Sequence, residues 1–166
     1  MKPKESKEAR SDCPVNFAVE TLGDKWSLVI LRDIIFWGKR TYGEFLKSDE
    51  RIATNILAGR LEYLEGQGLI TKSRDPLDKR RDIYTVTELG MDLIPMFIEM
   101  IAWSAGNETW QLMDHRHGTP EQFQFVERAM RAKNRQRLAK EVRKMVKRGG
   151  CVFEGVVRPT PESHEV

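Results

Sequence analysis

The stretch RDPLDKRRDIYTVT, Arg74 to Thr87, places Lys79, Arg80 and Arg81 in the gap between two strand-like runs. Cations on a projecting turn can pair with phosphate oxygens, and they are also the ordinary means of keeping a wet turn soluble. Upstream, Thr54, Asn55, Ala58, Gly59 and Arg60 fall within one short segment, off its apolar seam. An asparagine amide there can pair with two edge atoms of an adenine, small side chains let the backbone approach closely, and an arginine can reach a phosphate. For Arg60, an ion pair inside the chain with Glu44 or Glu50 is an equal alternative. Arg51, closing the polar turn Ser48-Asp49-Glu50-Arg51, is a further phosphate candidate. Cys13 precedes Pro14. If Pro14 opens a helix, the thiol sits at its N-cap, where helix-end amides can stabilise a thiolate that an electrophile or oxidant would modify. A quiet, half-buried thiol is the other reading.

These residues need elements to hold them. CPVNFAVETLG predicts a short helix with Pro14 at its first position and Gly23 at its end. DKWSLVILRDIIFWGKR predicts a buried helix capped by Asp24 and ended by Gly38, with Trp26, Ile30, Ile34 and Trp37 at helical spacing. Thr41 opens a short helix carrying Tyr42, Phe45 and Leu46. After the polar turn, a helix runs from about Ala53 or Thr54 to Gln67, seamed by Leu57, Leu61 and Leu64 with help from Ile52, and Gly68 is a natural left-handed cap. Leu69–Arg74 and Asp82–Thr87 are rich in β-branched and aromatic residues and pair across turn signals as a hairpin. Helix, short turn, longer helix and charged-tip hairpin make a winged helix-turn-helix. In that fold the second helix of the pair buries one face and offers the other to the major groove, while its N-terminus favours phosphate.

Thr87 then caps ELGMDLIPMFIEMIAWSAGN, a helix apolar nearly all round, with Pro95 bending it or resetting its start. A domain this small has too little core to enclose such a helix. A subunit interface is therefore expected, with Leu93, Met96, Phe97, Met100, Ile101 and Trp103 as its candidates. Reading two half-sites also requires a two-fold dimer.

Beyond it, Thr119 and Pro120 begin a basic amphipathic helix with Phe123, Val126, Met130, Leu138, Val142 and Met145 as its stripe, interrupted at Asn134 and ended by Gly149-Gly150. From Arg128 to Arg148 ten cations face only Glu141. This helix can pack against the interface helix, add nonspecific DNA affinity, or meet an acidic partner or a membrane surface. CVFEGVVRPTPESHEV can add a short strand before a flexible tail.

With 166 residues, 32% charged and 40% hydrophobic, the chain reads as one soluble domain with an extension. Its net charge of +3 is too small to name a partner. No apolar run reaches the roughly 18 residues of a membrane span, and MKPKESKEARSD is not a signal peptide. Two distant cysteines suggest no disulfide framework, and a cytoplasmic location is expected. The expected organisation is an arm over 1–12, a DNA-binding and dimerisation domain over 13–107, a helical extension over 108–150 and a tail over 151–166. No glycine-rich phosphate loop and no nucleophile with an identifiable base occurs, so no catalytic residue, cofactor or metal is expected. His115 and His117 beside Asp114 make only a faint metal pattern, since residues two apart on a helix diverge.

In order, the motifs CPV (Cys13–Val15), LGDKWSLVILRDI (Leu22–Ile34), RTYGEFL (Arg40–Leu46), RIATNILAGRLEYLEGQGLI (Arg51–Ile70) and YTVTELG (Tyr84–Gly90) resemble the HxlR-type regulators, relatives of the MarR-like winged-helix proteins. The resemblance covers about Cys13 to Trp103. It implies transcription factors that bind double-stranded promoter DNA as homodimers, some with a redox-sensing cysteine at the position of Cys13. Two departures bear on base contacts: Ala53 stands where a serine commonly opens the recognition helix, and Gly59 replaces a more often polar residue at a cost of roughly 1 kcal/mol in helix propensity. The expectation is a mainly α protein with a small β-hairpin wing, dimeric and not an enzyme, its operator and effector unspecified. The alternative is a dimeric interaction module that works through the basic C-terminal helix.

Overall fold

The computed structural model describes residues 12–115 and 118–155. Helix α1 (Pro14–Leu22) begins with proline and leads into α2 (Lys25–Trp37), whose first turn is closed by Asp24 accepting from the Trp26 and Ser27 amides at 3.1 and 3.0 Å. Five apolar or aromatic positions toward its far end, Ile30, Leu31, Ile34, Ile35 and Phe36, are buried, so α2 is the central rod of the core. It stops at Gly38, whose φ of 66° is left-handed, a conformation a side chain would strain.

Thr41 and Glu44 close a reciprocal capping box on α3 (Tyr42–Leu46). Helix α4 (Thr54–Gly66) buries Leu57, Leu61 and Leu64 against α2, which leaves its other faces to solvent. Strands β1 (Ile70–Arg74) and β2 (Asp82–Val86) pair antiparallel, with Ile70 opposite Val86 and Arg74 opposite Asp82, and Thr41 bridges to Ile83 near the hairpin's loop end. The expected winged helix-turn-helix is present, with strand ends within one residue of those read from the sequence.

Past the hairpin the expected single helix is two. Thr87 caps α5 (Glu88–Met91), and the chain restarts at Leu93 as α6 (Ile94–Ala105) with Pro95 in its first turn, where a missing amide hydrogen costs nothing. A short α7 (Glu108–Gln111) follows. The basic helix is also two: α8 (Pro120–Arg131) and α9 (Arg135–Lys147), separated by the extended Ala132, with Asn134 capping the second.

The extension supplies the core that the winged part lacks for α6, in line with the reading that the basic helix packs against it. Helices α8 and α9 lie against α6, and Phe125, Ala129, Leu138, Ala139, Val142 and Val146 join the core they share with it. Phe97, expected at a subunit interface, is 5% exposed and meets Phe36 edge to face, so it belongs to the interior. The buried stripe of α8 also differs from the expected one, because the break at Ala132 frees it from the phase of α9. Phe125 and Ala129 point inward, while Phe123, Met130 and Met145 remain exposed. The expected strand after Gly150 is a turn over residues 152–155, tied down by the Phe153 amide donating to the Phe36 carbonyl at 2.8 Å. The predicted arm over 1–12 falls outside the described residues except for Asp12, as do His117 and the tail beyond 155.

Candidate nucleic-acid interface

The leucine seam of α4 fixes which side chains face outward. Thr54, Asn55, Ala58 and Gly59 are all exposed near the helix N-terminus, as the sequence reading required. A Cβ built on Gly59 would meet nothing within 4 Å, so the chain's own packing does not demand glycine there. Arg60 does not reach Glu44 or Glu50. Its guanidinium stands 3.5 Å from Asp24 and 5.5 Å from the Tyr63 ring centroid, tied to the start of α2. Glu44 is committed to its capping box, where burial would raise its carboxyl but the Arg40 and Thr41 amides hold it below the usual range.

The turn into α4 is held from beneath by a network that the sequence reading missed. Asp33 is fully buried and accepts from Lys39 Nζ at 2.7 Å, from Arg32 Nη2 at 2.7 Å and from the Ser48 hydroxyl. Arg32 also donates to Glu50, at 2.9 Å through Nη2. Burial would lower the Arg32 guanidinium, but bonding to Glu50 and the charges of Asp33 and Glu50 win, so it holds its proton more firmly than a free arginine. A buried carboxylate without such donors would cost several kcal/mol, on the order expected for an uncompensated ion. The available signal was an ionisable pair, Arg32-Asp33, inside an otherwise apolar helix. Next to Glu50, Arg51 is exposed and has a φ of 53°, the positive value among non-glycine residues described. That turn lets Ile52 plug the core while Thr54 starts the helix.

The wing separates the basic triplet into different jobs. Arg81 grips Asp75 through Nε at 2.7 Å and through Nη2, and this carboxylate also accepts from the Leu77 amide at 2.8 Å. The amide bond and Arg81 hold the Asp75 carboxyl below its usual range. Arg81 therefore braces the loop. Lys79 and Arg80 are exposed at the tip, Arg80 reaching only Asp78, at 3.2 Å. Leu77, 93% exposed, stands beside them, an apolar tip residue that the sequence reading passed over. Between α3 and the wing lies a cleft of about 760 Å³ whose walls include Gly43, Lys47, Arg80 and Arg81. Tyr42, also on that wall, donates from its hydroxyl to the Thr54 carbonyl at 2.7 Å and so joins the cleft to the first turn of α4.

Cys13 is exposed at the N-cap of α1, while Cys151 is buried and its thiol is pushed up by burial and by Glu154. Val15, Phe17 and Val19 of α1 are exposed. On α6, Met100 and Trp103 are exposed and Leu93, Met96 and Ile101 are half-buried. His115 packs on Trp110 with ring centroids 4.3 Å apart, and no metal-holding cluster occurs among the described residues. Nor is any described helix long and apolar enough to cross a membrane.

The HxlR-like helix-turn-helix family model matches residues 21–112. An HTH-type transcriptional regulator of Synechocystis is 34% identical over 88 residues, which span 53% of this chain and 64% of that protein. A structure described as a transcriptional regulator of the MarR family from Porphyromonas gingivalis W83 superposes with a TM-score of 0.52 at 30% identity, covering 63% of this chain and 98% of that one. The redox regulator HypR in its oxidized form superposes with a TM-score of 0.51 at 26% identity, over 58% of this chain and 98% of its own.

Proposed function

We propose that this chain, which belongs to the HxlR-like helix-turn-helix family and is a transcriptional regulator of that type, reads promoter DNA sequence as a homodimer. The observation that carries the reading is the bare N-terminal face of α4. Thr54, Asn55, Ala58 and Gly59 are outward and unused by the chain's own packing, on a helix whose opposite face is locked by three buried leucines. Asn55 is assigned to a base edge, and the helix N-terminus and Arg51 to the phosphates beside it. Lys79 and Arg80 hold the flanking backbone from the wing, and Arg81 keeps the wing in shape. Arg60, held by Asp24, orients α4 against α2. Met100 and Trp103, with exposed apolar residues of α1, supply the surface for the second subunit.

Cys13 is the proposed switch. It is exposed at the head of α1, and the fold is shared with a protein described as a redox regulator. A small disulfide exchanging with its thiolate would leave a mixed disulfide on Cys13 and release one thiol, placing an adduct at the first turn of α1.

Fluorescence anisotropy with the gene's own upstream DNA and a scrambled duplex, across a salt series, tests the reading. A preference of roughly 10³ or more for the upstream duplex is expected. Equal, steeply salt-dependent binding to both would reduce the protein to phosphate binding. Repeating the titration after treatment with a small disulfide, with Cys13→Ser as control, tests the switch. An equal change in both proteins would remove Cys13 from it.

A further inference from the structure

A cavity of about 440 Å³ opens where the winged part, α6 and the C-terminal helices meet. Val29 and Trp37 of α2, Ile101 of α6, Trp110 of α7, Val126 of α8 and Phe153 after α9 line it. Its floor is aromatic: Phe36 contacts Phe125 at 5.7 Å and Phe153 at 6.3 Å between ring centroids. The volume lies in the range of small-molecule pockets, and such pockets are mostly apolar with a few polar groups that orient the ligand. Here those groups are Arg32, Ser104 and Gln122.

The polar groups restrict the ligand's charge. Arg32 faces two carboxylates, Asp33 and Glu50, and its guanidinium donates to both. Its charge is already matched, so an anionic ligand would have to displace a carboxylate. Gln122 spends its amide oxygen on the Thr119 amide at 2.8 Å, so its nitrogen is the end with donors to offer. A neutral ring system carrying one hydrogen-bond acceptor fits this chemistry.

A second copy of the chain fits it less well. Of the lining residues only Met100 is exposed, the others being buried or half-buried in a recess, whereas the protruding apolar side chains Trp103 and Phe17 lie outside it. Gln122, Phe125, Val126 and Phe153 also lie beyond residue 112, outside the family match, so the extension supplies one wall of the cavity.

We propose that this cavity is an effector site for a neutral, mainly aromatic small molecule, linked to DNA binding through the Arg32–Glu50 pair. Arg32 lines the cavity and holds Glu50, which precedes Arg51 and the start of α4. A ligand that moves Arg32 therefore changes the grip on the turn that aims the recognition helix. Only the link rests on the DNA-reading function; the binding does not.

The test uses 6-propionyl-2-(dimethylamino)naphthalene, a neutral fluorescent aromatic ketone whose carbonyl accepts a hydrogen bond, with the full chain. Saturable binding at one probe per chain is expected. Val126→Trp and, from another wall, Ser104→Phe should each weaken it at least about tenfold with circular dichroism unchanged. Wild-type binding by both folded variants overturns the site, and so does a probe affinity that tracks the monomer–dimer equilibrium, which would mean that a second copy covers the cavity. Saturating probe should then shift the wild-type affinity for upstream DNA roughly fivefold or more, and that shift should collapse in Glu50→Gln. Probe binding without any shift overturns the link. DNA preference without probe binding sinks the site alone, and probe binding by a protein without DNA preference sinks the DNA reading and the link while leaving the site.

Discussion

At the wing tip, Arg80 is 92% exposed and reaches only Asp78 two residues away, whereas Arg143 of α9 crosses the chain to Asp92 and to Glu88 at 2.7 Å. Lys147 adds a second bond to Glu88 at 2.9 Å, and Arg135 meets Glu99 at 3.2 Å. The two regions use the same residue types. One leaves its tip cations exposed, and the other spends its inward cations fastening an extension onto α5 and α6. Charge density along a sequence therefore does not identify a polyanion-binding surface. What separates the two is whether carboxylates from other elements stand opposite the cations.

The largest expected effect tests whether the two regions form one folding unit. Phe36, 2% exposed, touches Phe97, Phe125 and Phe153, so it joins the winged part to the extension. Phe36→Ala should cost about 3–5 kcal/mol, read by denaturant unfolding. Wild type should unfold in one transition by both tryptophan fluorescence and circular dichroism; two separated transitions would break the comparison by making the extension an independent body.

Asn55→Ala comes next. It should cost about 1–3 kcal/mol of discrimination between upstream and scrambled DNA. An equal loss on both duplexes would remove Asn55 from base reading. Lys79→Ala and Arg80→Ala should lower affinity for both duplexes alike, and each should flatten the dependence of log K on log salt by about 0.9. Arg137→Ala, on the outward side of α9, should leave that slope unchanged; a matching change there would put α9 on the DNA.

The smallest effect falls on the fastenings. Arg143→Ala should lower Tm by no more than about 2–4 °C at low salt and leave DNA binding intact, since its pairs are largely exposed. Lys147 and Arg143 hold the Glu88 carboxyl below its usual range. A carboxylate depressed in the folded state stabilises the protein above its unfolded pKa, and that contribution disappears as pH falls through the folded pKa. Acidification should therefore loosen the attachment of α9, and a melting series below neutral pH should show a smaller acid dependence in Arg143→Ala than in wild type.

The elements that bear on DNA were legible because their signals are local. Asp24, Thr41 and Thr87 are caps, Gly38 and Gly68 are left-handed stops, and Leu57, Leu61 and Leu64 recur at helical spacing, so each residue's neighbours in sequence decide its conformation. That was sufficient to place Thr54, Asn55, Ala58 and Gly59 on the outward side of α4. Partners far apart in the chain were not legible. Arg60 pairs with Asp24 rather than Glu44 or Glu50, and Ser48 closes on Asp33 fifteen residues earlier. Nothing local distinguishes one nearby carboxylate from another.

Local pattern in the sequence sets the order of helices and strands and the exposure of the outward face of α4, because hydrophobic period and capping chemistry act over a few residues. What covers α6 is settled by contacts between elements far apart in the chain. Its apolar surface called for a cover, but burial is non-directional and names no partner. The side chains of α8 and α9 close over it, Phe97 turns inward to Phe36, and Met100 and Trp103 stay outside. The same closure creates the cavity beside Arg32, from residues more than a hundred positions apart that share no pattern until the chain folds.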